Sequence, residues 1–301
     1  MKDRRSGSLI IVAVVAVAVI TMLALSLATS LRAHAAAADE NSYRRETRQG
    51  CLNAAMRCVA ERLVADTNGW DALTEDWAEP YERRAEEWVW RVSGDGWRER
   101  SGETAGLIDE SGLLPLNGDN TEFLEALLKT VCGLSGDAAG KLAAGIGNAG
   151  PYVCLEQLAS VPGVTPEIYG AITPYLTVFA VGRININTAP EKILRAVFEY
   201  AGTHDAAAAH SLYIRIRDYR NAGNAFTSSS PQVIAKSLGG LPSSEALLLS
   251  YCQNRLTAES DIFSGIAEAT PARYWEARRH PGRAHFTYDR KKRVFLRWVE
   301  E

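Results

Sequence analysis

Hydrophobic residues are continuous near the start of the chain and become periodic further on. Residues 8–31 contain no charged side chain, whereas three basic residues precede them and Arg32 follows. As a helix this stretch would be about 36 Å long, enough to cross the apolar core of a bilayer. Apolar residues then recur at helical spacing, and residues 32–66 contain no proline. The pattern predicts one long helix, first hydrophobic all round and then amphipathic.

The N-terminal segment is compatible with three kinds of processing. Its basic head predicts a cytoplasmic N-terminus, with the rest of the chain outside the cytoplasm. A cleaved signal peptide would end at Ala35, although its apolar region would exceed the usual ~7–15 residues. A plain signal anchor would keep the segment. A pilin-type leader would be cut between Gly7 and Ser8 and would leave the apolar helix on the mature protein. The uninterrupted helix that follows favours this alternative, because a pilin stalk requires the two parts to be continuous.

Two related segments occupy the middle of the chain, at residues 113–146 and 183–216. Each begins with an extended piece that ends in asparagine, at Asn117 and Asn187, and continues with two stretches of helical spacing. This is an internal repeat of two small helical subdomains. Each copy then ends in a predicted helix–turn–helix, at residues 155–169 and 233–248.

Polar residues mark the expected helix starts within the repeat. Asp137 in the first copy corresponds to Asp205 in the second, each followed by two alanines. Thr188 and Glu191 have the spacing of a capping box. Thr165 precedes a proline and is predicted to cap the helix that follows.

Short strands are predicted on both sides of the helical block, from alternating or β-branched runs. They comprise residues 88–92, 107–108, 262–269, 284–288 and 293–298, of which the last two form a hairpin. The predicted fold class is therefore α+β. A long N-terminal transmembrane and stalk helix carries a small antiparallel sheet, and an all-α block of two SAM-like or helix-hairpin-helix subdomains is inserted into one loop of that sheet.

The charge balance and the motifs of the sequence are compatible with two classes of function. The chain has a net charge of −3, and residues 107–252 contain 9 Lys and Arg against 13 Asp and Glu. The sequence lacks metalloprotease, Cys-x-x-Cys, phosphate-loop and nucleophile-elbow motifs, so no enzyme activity is predicted. One class is a structural assembly protein. The alternative is a membrane-anchored hairpin DNA-binding protein of competence type, although an acidic block repels phosphate and neither turn has the Gly-apolar-Gly order of such hairpins.

Several motifs together resemble protein K of the type II secretion system (GspK), a family of minor pseudopilins. They are distributed in order over nearly the whole chain, and include the Gly7 junction, Trp70-Asp71-Ala72-Leu73, Ile108 to Gly112 with Leu116-Asn117, Leu158 to Tyr169, Pro174 to Val178, Ile184 to Pro190, and Leu296-Arg297-Trp298. The resemblance implies the domain order of a prepilin leader (1–7), a transmembrane helix (8–31), a periplasmic stalk helix (32–66), the first part of a pilin-like head (67–108), two SAM-like subdomains (109–180 and 181–255) and the C-terminal strands of the head (256–301).

The resemblance also implies a role and partners. Such a subunit caps the tip of a short periplasmic pseudopilus, binds two other minor pseudopilins, and helps to initiate assembly for protein export across the outer membrane. The major pseudopilin, the inner-membrane assembly platform and prepilin peptidase are the further expected partners, and nucleic acid is not expected. The assembly helix would begin with Leu9, Ile10, Ile11 and Val12. Most pilins carry Glu where this chain has Val12, and an unpaired carboxylate is costly in lipid, so Val12 suits a subunit with no neighbour above it.

The sequence allows more than one interpretation of metal binding and of disulfide formation. Relatives carry an acidic calcium-binding loop before the first hairpin, but residues 146–152 contain no Asp or Glu, so calcium is implied only by the resemblance. Asp109, Glu110 and Asp119 are oxygen-ligand types, although a turn and a helix cap explain them equally well. Cys51 and Cys58 are expected to be buried on the stalk. Cys132 and Cys154 are candidates for a bridge within one subdomain, which their spacing does not decide, and Cys252 is the fifth cysteine.

Overall fold

A single long helix leads into the folded part of the protein. The computed structural model describes residues 4–85, 87–94, 106–180, 182–202, 205–272 and 280–301, with side chains from residue 11 onward. Helix α1 (Arg4–Cys58) has no proline to interrupt it, and it widens into a π-helix over Val59–Val64. The predicted continuous helix is therefore present, and it ends two residues before the predicted boundary.

Six of the described strands form one antiparallel sheet beside the C-terminal half of α1, in the order β1-β2-β8-β9-β10, with β3 pairing to the same edge of β8 as β2. Their bounds are Tyr81–Arg84 (β1), Trp88–Ser93 (β2), Ile108–Asp109 (β3), Ile262–Pro271 (β8), Gly282–Asp289 (β9) and Val294–Glu300 (β10). The helical block lies between β3 and β8. The predicted α+β architecture with an insertion in one sheet loop is confirmed, whereas β1 was not predicted.

Helix α1 packs closely on the sheet because a glycine on each side of the contact leaves room for a larger side chain of the other side. Gly50 of α1 lies against Trp88, and Gly282 of β9 lies against Thr47, so that a Cβ at either glycine would collide with its neighbour. Cys51 and Cys58 face the same contact and are buried, as predicted. Each large apolar side chain removed from water in such a contact stabilises the fold by about 1.5–3 kcal/mol.

The inserted block consists of two units built on one plan. The first contains β4 (Leu114–Pro115), α2 (Thr121–Cys132), α3 (Gly136–Ala149), α4 (Pro166–Ile172) and β5 (Leu176–Thr177). The second contains β6 (Ile184–Asn185), α5 (Glu191–Ala201), α6 (Ala206–Asn221), α7 (Pro231–Ser237), α8 (Ser243–Cys252) and β7 (Leu256–Thr257). In each unit the first and last strands pair in parallel and close the unit at its base. These two-residue parallel pairs were not predicted.

The two asparagines of the repeat have the same structural role. Asn117 accepts a hydrogen bond from the backbone N–H of Tyr152 (2.7 Å) and donates to its carbonyl (2.8 Å). Asn187 makes the same reciprocal pair with Phe226, at 2.8 and 2.9 Å. Each amide thereby pairs with both the backbone N–H and the backbone carbonyl of a loop residue that lies outside any helix or strand. The correspondence of Asn117 with Asn187 is confirmed.

Of the other local predictions, the cap at Thr165 is present, whereas the equivalence of Asp137 and Asp205 is not. Thr165 caps α4 by accepting from the backbone N–H of Ile168, as predicted. Asp205 is the N-cap of α6, but Asp137 lies inside the first turn of α3, whose N-cap is Ser135, so those two aspartates do not occupy equivalent positions. The first segment of the first hairpin is a 3₁₀ helix, Leu155–Ser160.

The capping box predicted from Thr188 and Glu191 is wrong. The N-cap of α5 is Pro190, and no side chain caps it. Thr188 is completely buried and its hydroxyl donates to Asp109, while Glu191 accepts from the hydroxyl of Tyr213. A hydrogen bond from the Thr188 hydroxyl to a buried carboxylate is charge-assisted and therefore stronger than the neutral bond that a cap would accept from a backbone N–H.

Candidate assembly helix and polar junction

The N-terminal part of α1 is an apolar helix whose surface is exposed. Among the described residues, one helix is long and apolar enough to cross a membrane, and none of its most apolar window is buried by the rest of the chain. Ile11 and Val12 are each 65% exposed. Gly7, Ser8, Leu9 and Ile10 lie within the backbone of α1, but their side chains are outside the described part. An exposed apolar helix of this length requires lipid or other helices as its surroundings.

A second unusual feature is a buried polar junction between the head and the helical block. Asp71, in the loop after the stalk, is completely buried and accepts two hydrogen bonds from Arg290, at 2.9 and 2.7 Å. It also accepts from the backbone N–H of Ser260 (2.7 Å). Arg290 lies in the turn between β9 and β10 and stacks over Phe263. A loop, the sheet and the exit of the helical block therefore meet at one carboxylate.

Asp109 is the second buried carboxylate of the junction. One of its oxygens accepts from Asn185 (3.2 Å), Ser260 (2.6 Å) and Thr188 (2.5 Å). The other oxygen accepts from the backbone N–H of Ser111 and closes the predicted turn. Because Asn185 and Thr188 begin the second helical unit, Asp109 joins that unit to the end of β3.

Burial and ion pairing act in opposite directions on the charges of this junction. Burial raises the pKa of Asp71 to about 6, against the hydrogen bonds and charge of Arg290, which lower it. Burial by itself would lower the pKa of Arg290, but the hydrogen bonds and charge of Asp71 outweigh it and raise that pKa. In this region poor in water, each charge is stabilised by the opposite charge of its partner.

The three metal-ligand candidates from the sequence have separate environments. Asp109 is saturated by the hydrogen bonds above, and Glu110 is buried and accepts from the hydroxyls of Thr177 and Ser264. Asp119 has an 88% exposed side chain, 3.8 Å from Arg255. The structure therefore does not assemble them into one ligand set.

A different carboxylate group has metal-like spacing. The oxygens of Asp66, Asp71 and Glu75 lie within 4.8 Å of one another, the one such group among the residues the structure describes. However, Asp71 is already hydrogen-bonded to Arg290. Glu75 accepts hydrogen bonds from the side chain of Asn68, from the backbone N–H of Ala72 and from the indole N–H of Trp77. Asp71 is thus paired with a cation and Glu75 is hydrogen-bonded by neutral donors, whereas Oδ2 of Asp66 is buried without a hydrogen-bond donor and lies 3.8 Å from Arg290.

The cysteines are all thiols. None of the five, which all lie in the described part, forms a disulfide, so the bridge considered between Cys132 and Cys154 is not present. Burial raises the pKa of Cys51, Cys58 and Cys252 to about 12, whereas Cys132 and Cys154 are only partly buried.

The comparisons with known proteins bear on the fold. No protein-family model matches the sequence, and the curated protein sequences give no match. Among solved structures, the chain is similar to one in the crystal structure of the GspK-GspI-GspJ complex from the enterotoxigenic Escherichia coli type 2 secretion system. The superposition has a TM-score of 0.60 at 13% identity, and covers 87% of this chain and 97% of that chain. The chain has a GspK-like pseudopilin fold.

This finding confirms the fold that the sequence motifs indicated. The similarity extends over nearly all of the neighbouring chain, so it includes the inserted helical block and not only the stalk and sheet. The match gives no support to the DNA-binding alternative. Sequence reasoning missed Arg290, Ser260 and Asn185 as junction residues, because nothing near them in the chain indicates a carboxylate partner.

Proposed function

We propose that this chain is a minor pseudopilin that caps the tip of a type II secretion pseudopilus and helps to initiate its assembly for protein export across the outer membrane. The observation that carries this proposal is the GspK-like fold, in which a large helical block interrupts a pilin-like sheet on an apolar stalk helix. Its role is structural, and we assign no catalytic group and no cofactor to it.

The apolar end of α1 supports membrane anchoring before assembly. Residues 8–31 would span the inner membrane with the N-terminus in the cytoplasm and the head in the periplasm. Prepilin peptidase would cut between Gly7 and Ser8. During assembly the same helix would leave the lipid and pack among the helices of other subunits, which present an equally apolar environment.

Val12 supports a position at the tip. A carboxylate at this depth is favourable only where a cation of a neighbouring subunit can pair with it. Val12 needs no such partner, which suits a subunit with no neighbour above it. The proposed partners are two other minor pseudopilins comparable to GspI and GspJ, the major pseudopilin, the assembly platform and prepilin peptidase.

Two measurements test this function on the full chain in its own cell. The mature N-terminus, read by mass spectrometry, is expected to be Ser8, and Ala36 would instead identify an ordinary signal peptide. In pseudopili extended by overproduction of the major pseudopilin, immunogold against this chain is expected at one end of each fibre. Labelling along the fibre shaft would contradict the tip position.

A further inference from the structure

The protein has two hydrophobic cores that are separate from each other. One core fills the helical block and contains residues of both units, such as Leu127 of α2 and Val197 of α5. The other core lies between α1 and the sheet, and contains Cys58 and Phe286. Among the residues that the structure describes, no side chain belongs to both cores. The helical block and the head are therefore two bodies, each with an apolar interior of its own.

Two short segments of chain connect these bodies. The first is β3 with the residue before it, where Leu107 packs in the head core and Ile108 packs in the core of the block. This strand pairs with β8 at two positions only. The second connection is residues 258–261, between β7 and β8. Two short connections between bodies that share no core are the usual arrangement of a hinge.

Two adjacent carboxylates, Asp109 and Glu110, form hydrogen bonds to both bodies. One oxygen of Glu110 accepts from the hydroxyl of Thr177 in the block, and the other accepts from the hydroxyl of Ser264 in β8. Asp109 accepts from the start of the second helical unit and from the exit of the block, as described above. Both carboxylates are completely buried. The block is thus held on the head by polar bonds that converge on two neighbouring residues.

A polar contact of this kind is easier to open than an apolar contact. The hydroxyls and the carboxamide that donate to these carboxylates replace only part of the hydration that burial removes, and on opening water hydrates both partners again. A polar cleft of about 760 Å³ lies beside the junction, between Arg183 and Asn254 of the block and Asp261 and Lys291 next to the sheet. Water therefore reaches the edge of the junction without disturbing either core.

We propose that Asp109 and Glu110 form a latch between the head and the helical block, and that on its opening the block moves away from the head as one rigid body while both cores stay folded. The two helical units move together because they share one core. The ion pair of Asp71 with Arg290 stays closed, since both residues belong to the head. This inference does not depend on the proposed function.

Hydrogen–deuterium exchange of the detergent-solubilised full chain, measured by mass spectrometry, tests this motion. At the junction the backbone N–H of Asp71 donates to the carbonyl of Ala258, and that of Ser260 donates to the carboxylate of Asp71. Both should exchange at least about tenfold faster than the N–H groups of α5 and β9, because opening the junction requires less free energy than unfolding either core. Equal protection of the junction and the cores would overturn the inference, since the chain would then open only as a whole.

Variants of the latch test the assignment of Asp109. Asp109→Asn keeps the acceptor for the backbone N–H of Ser111 but presents an NH₂ group to the donors of the block. Exchange at the junction should rise about tenfold or more, as expected for the loss of hydrogen bonds to a charged group, while α5 and β9 keep their protection.

Thr188→Val removes one of these donors at similar volume and should act in the same direction by a smaller factor. The control is Asp119→Asn, at a side chain that is 88% exposed, and it should change neither region. Unchanged exchange at the junction in Asp109→Asn, or a parallel rise at the junction and in both cores, would overturn the inference.

Discussion

Arg290 and Asp71 are 219 positions apart in the sequence, yet their side chains form two hydrogen bonds of 2.9 and 2.7 Å in the interior of the protein. Arg290 also donates to the backbone carbonyl of Ser260. The turn between the last two strands, the loop after the stalk and the exit of the helical block are thereby fixed to one another. This junction determines how the inserted block is held on the pilin-like head.

Removal of the cation should be strongly destabilising. Arg290→Met leaves the buried carboxylate of Asp71 without its partner, and we expect a loss of about 3–5 kcal/mol in the free energy of unfolding at pH 7.5. Urea unfolding of the detergent-solubilised full chain, followed by tryptophan fluorescence, measures it. The control is Arg44→Met, which breaks an exposed pair with Glu40 and should cost no more than about 1 kcal/mol. Equal losses in the two variants would contradict the role of the junction.

Stability should depend on pH through Asp71. Burial raises the pKa of this carboxyl from 3.8 to about 6. The native state therefore keeps a proton that the unfolded state releases, so this contribution is complete below about pH 4 and is lost as the pH rises to about 6. Asp71→Asn cannot titrate, and the unaltered chain should lose up to about 3 kcal/mol relative to it across that range. A difference between the two proteins that stays constant from pH 4 to pH 6 would disprove the assignment.

The reciprocal asparagine bonds should matter in both helical units, but not equally. Asn187 is buried, and Asn187→Ala leaves the backbone N–H and carbonyl of Phe226 unpaired, for an expected loss of about 2–4 kcal/mol. Asn117→Ala should cost less, because Asn117 is partly exposed and water can replace its amide. The exposed Asn224, changed to Ala, is the control and should alter the free energy of unfolding by no more than about 0.5 kcal/mol. Thermal or urea unfolding ranks the three variants, and a different order would contradict this reading.

Thiol labelling should divide the cysteines into two groups. Cys132 and Cys154 should react with iodoacetamide in the native protein, whereas Cys51, Cys58 and Cys252 should react only after unfolding, because they are buried and their pKa values are raised to about 12. Peptide mass spectrometry identifies each site. Without reductant, unfolding should release five reactive thiols. A linked peptide that contains Cys132 and Cys154 would show that the pair is bridged.

A charge at Val12 should impair the proposed tip function. Val12→Glu places a carboxylate without a partner in the apolar part of α1, at a cost of about 1–3 kcal/mol, since the ~2.5–3.5 kcal/mol of a charge at the bilayer centre falls toward the interface. We expect reduced incorporation into the minor pseudopilin complex and reduced export, measured by co-purification and by secreted protein in the medium. Val12→Leu keeps the apolar character and should behave as the unaltered chain does. Full export with Val12→Glu would remove the argument that an uncharged position marks the tip.

Features set by neighbours in the sequence were predictable. The charge-free stretch before Arg32, the cap at Thr165 and the β9–β10 hairpin each depend on residues close together in the chain, and each is present. The equivalence of Asn117 and Asn187 was also readable, since both copies needed an amide for the same backbone groups. The apolar segment, the repeat and the strand patterns on both sides of it thus determined the α+β class and the place of the insertion.

Features that depend on distant partners were decided by the tertiary structure. Thr188 had the local pattern of a capping residue, but folding brings Asp109 within reach of its hydroxyl, which donates a charge-assisted hydrogen bond to that carboxylate. Arg290 and Asp71 pair because the interior excludes water from both, a condition that no sequence window contains. The sequence by itself determined the long helix, the helices of the repeat and the longer strands, through local periodicity and charge. The packed interior decided β1, the two short parallel pairs and which polar groups bond to each other.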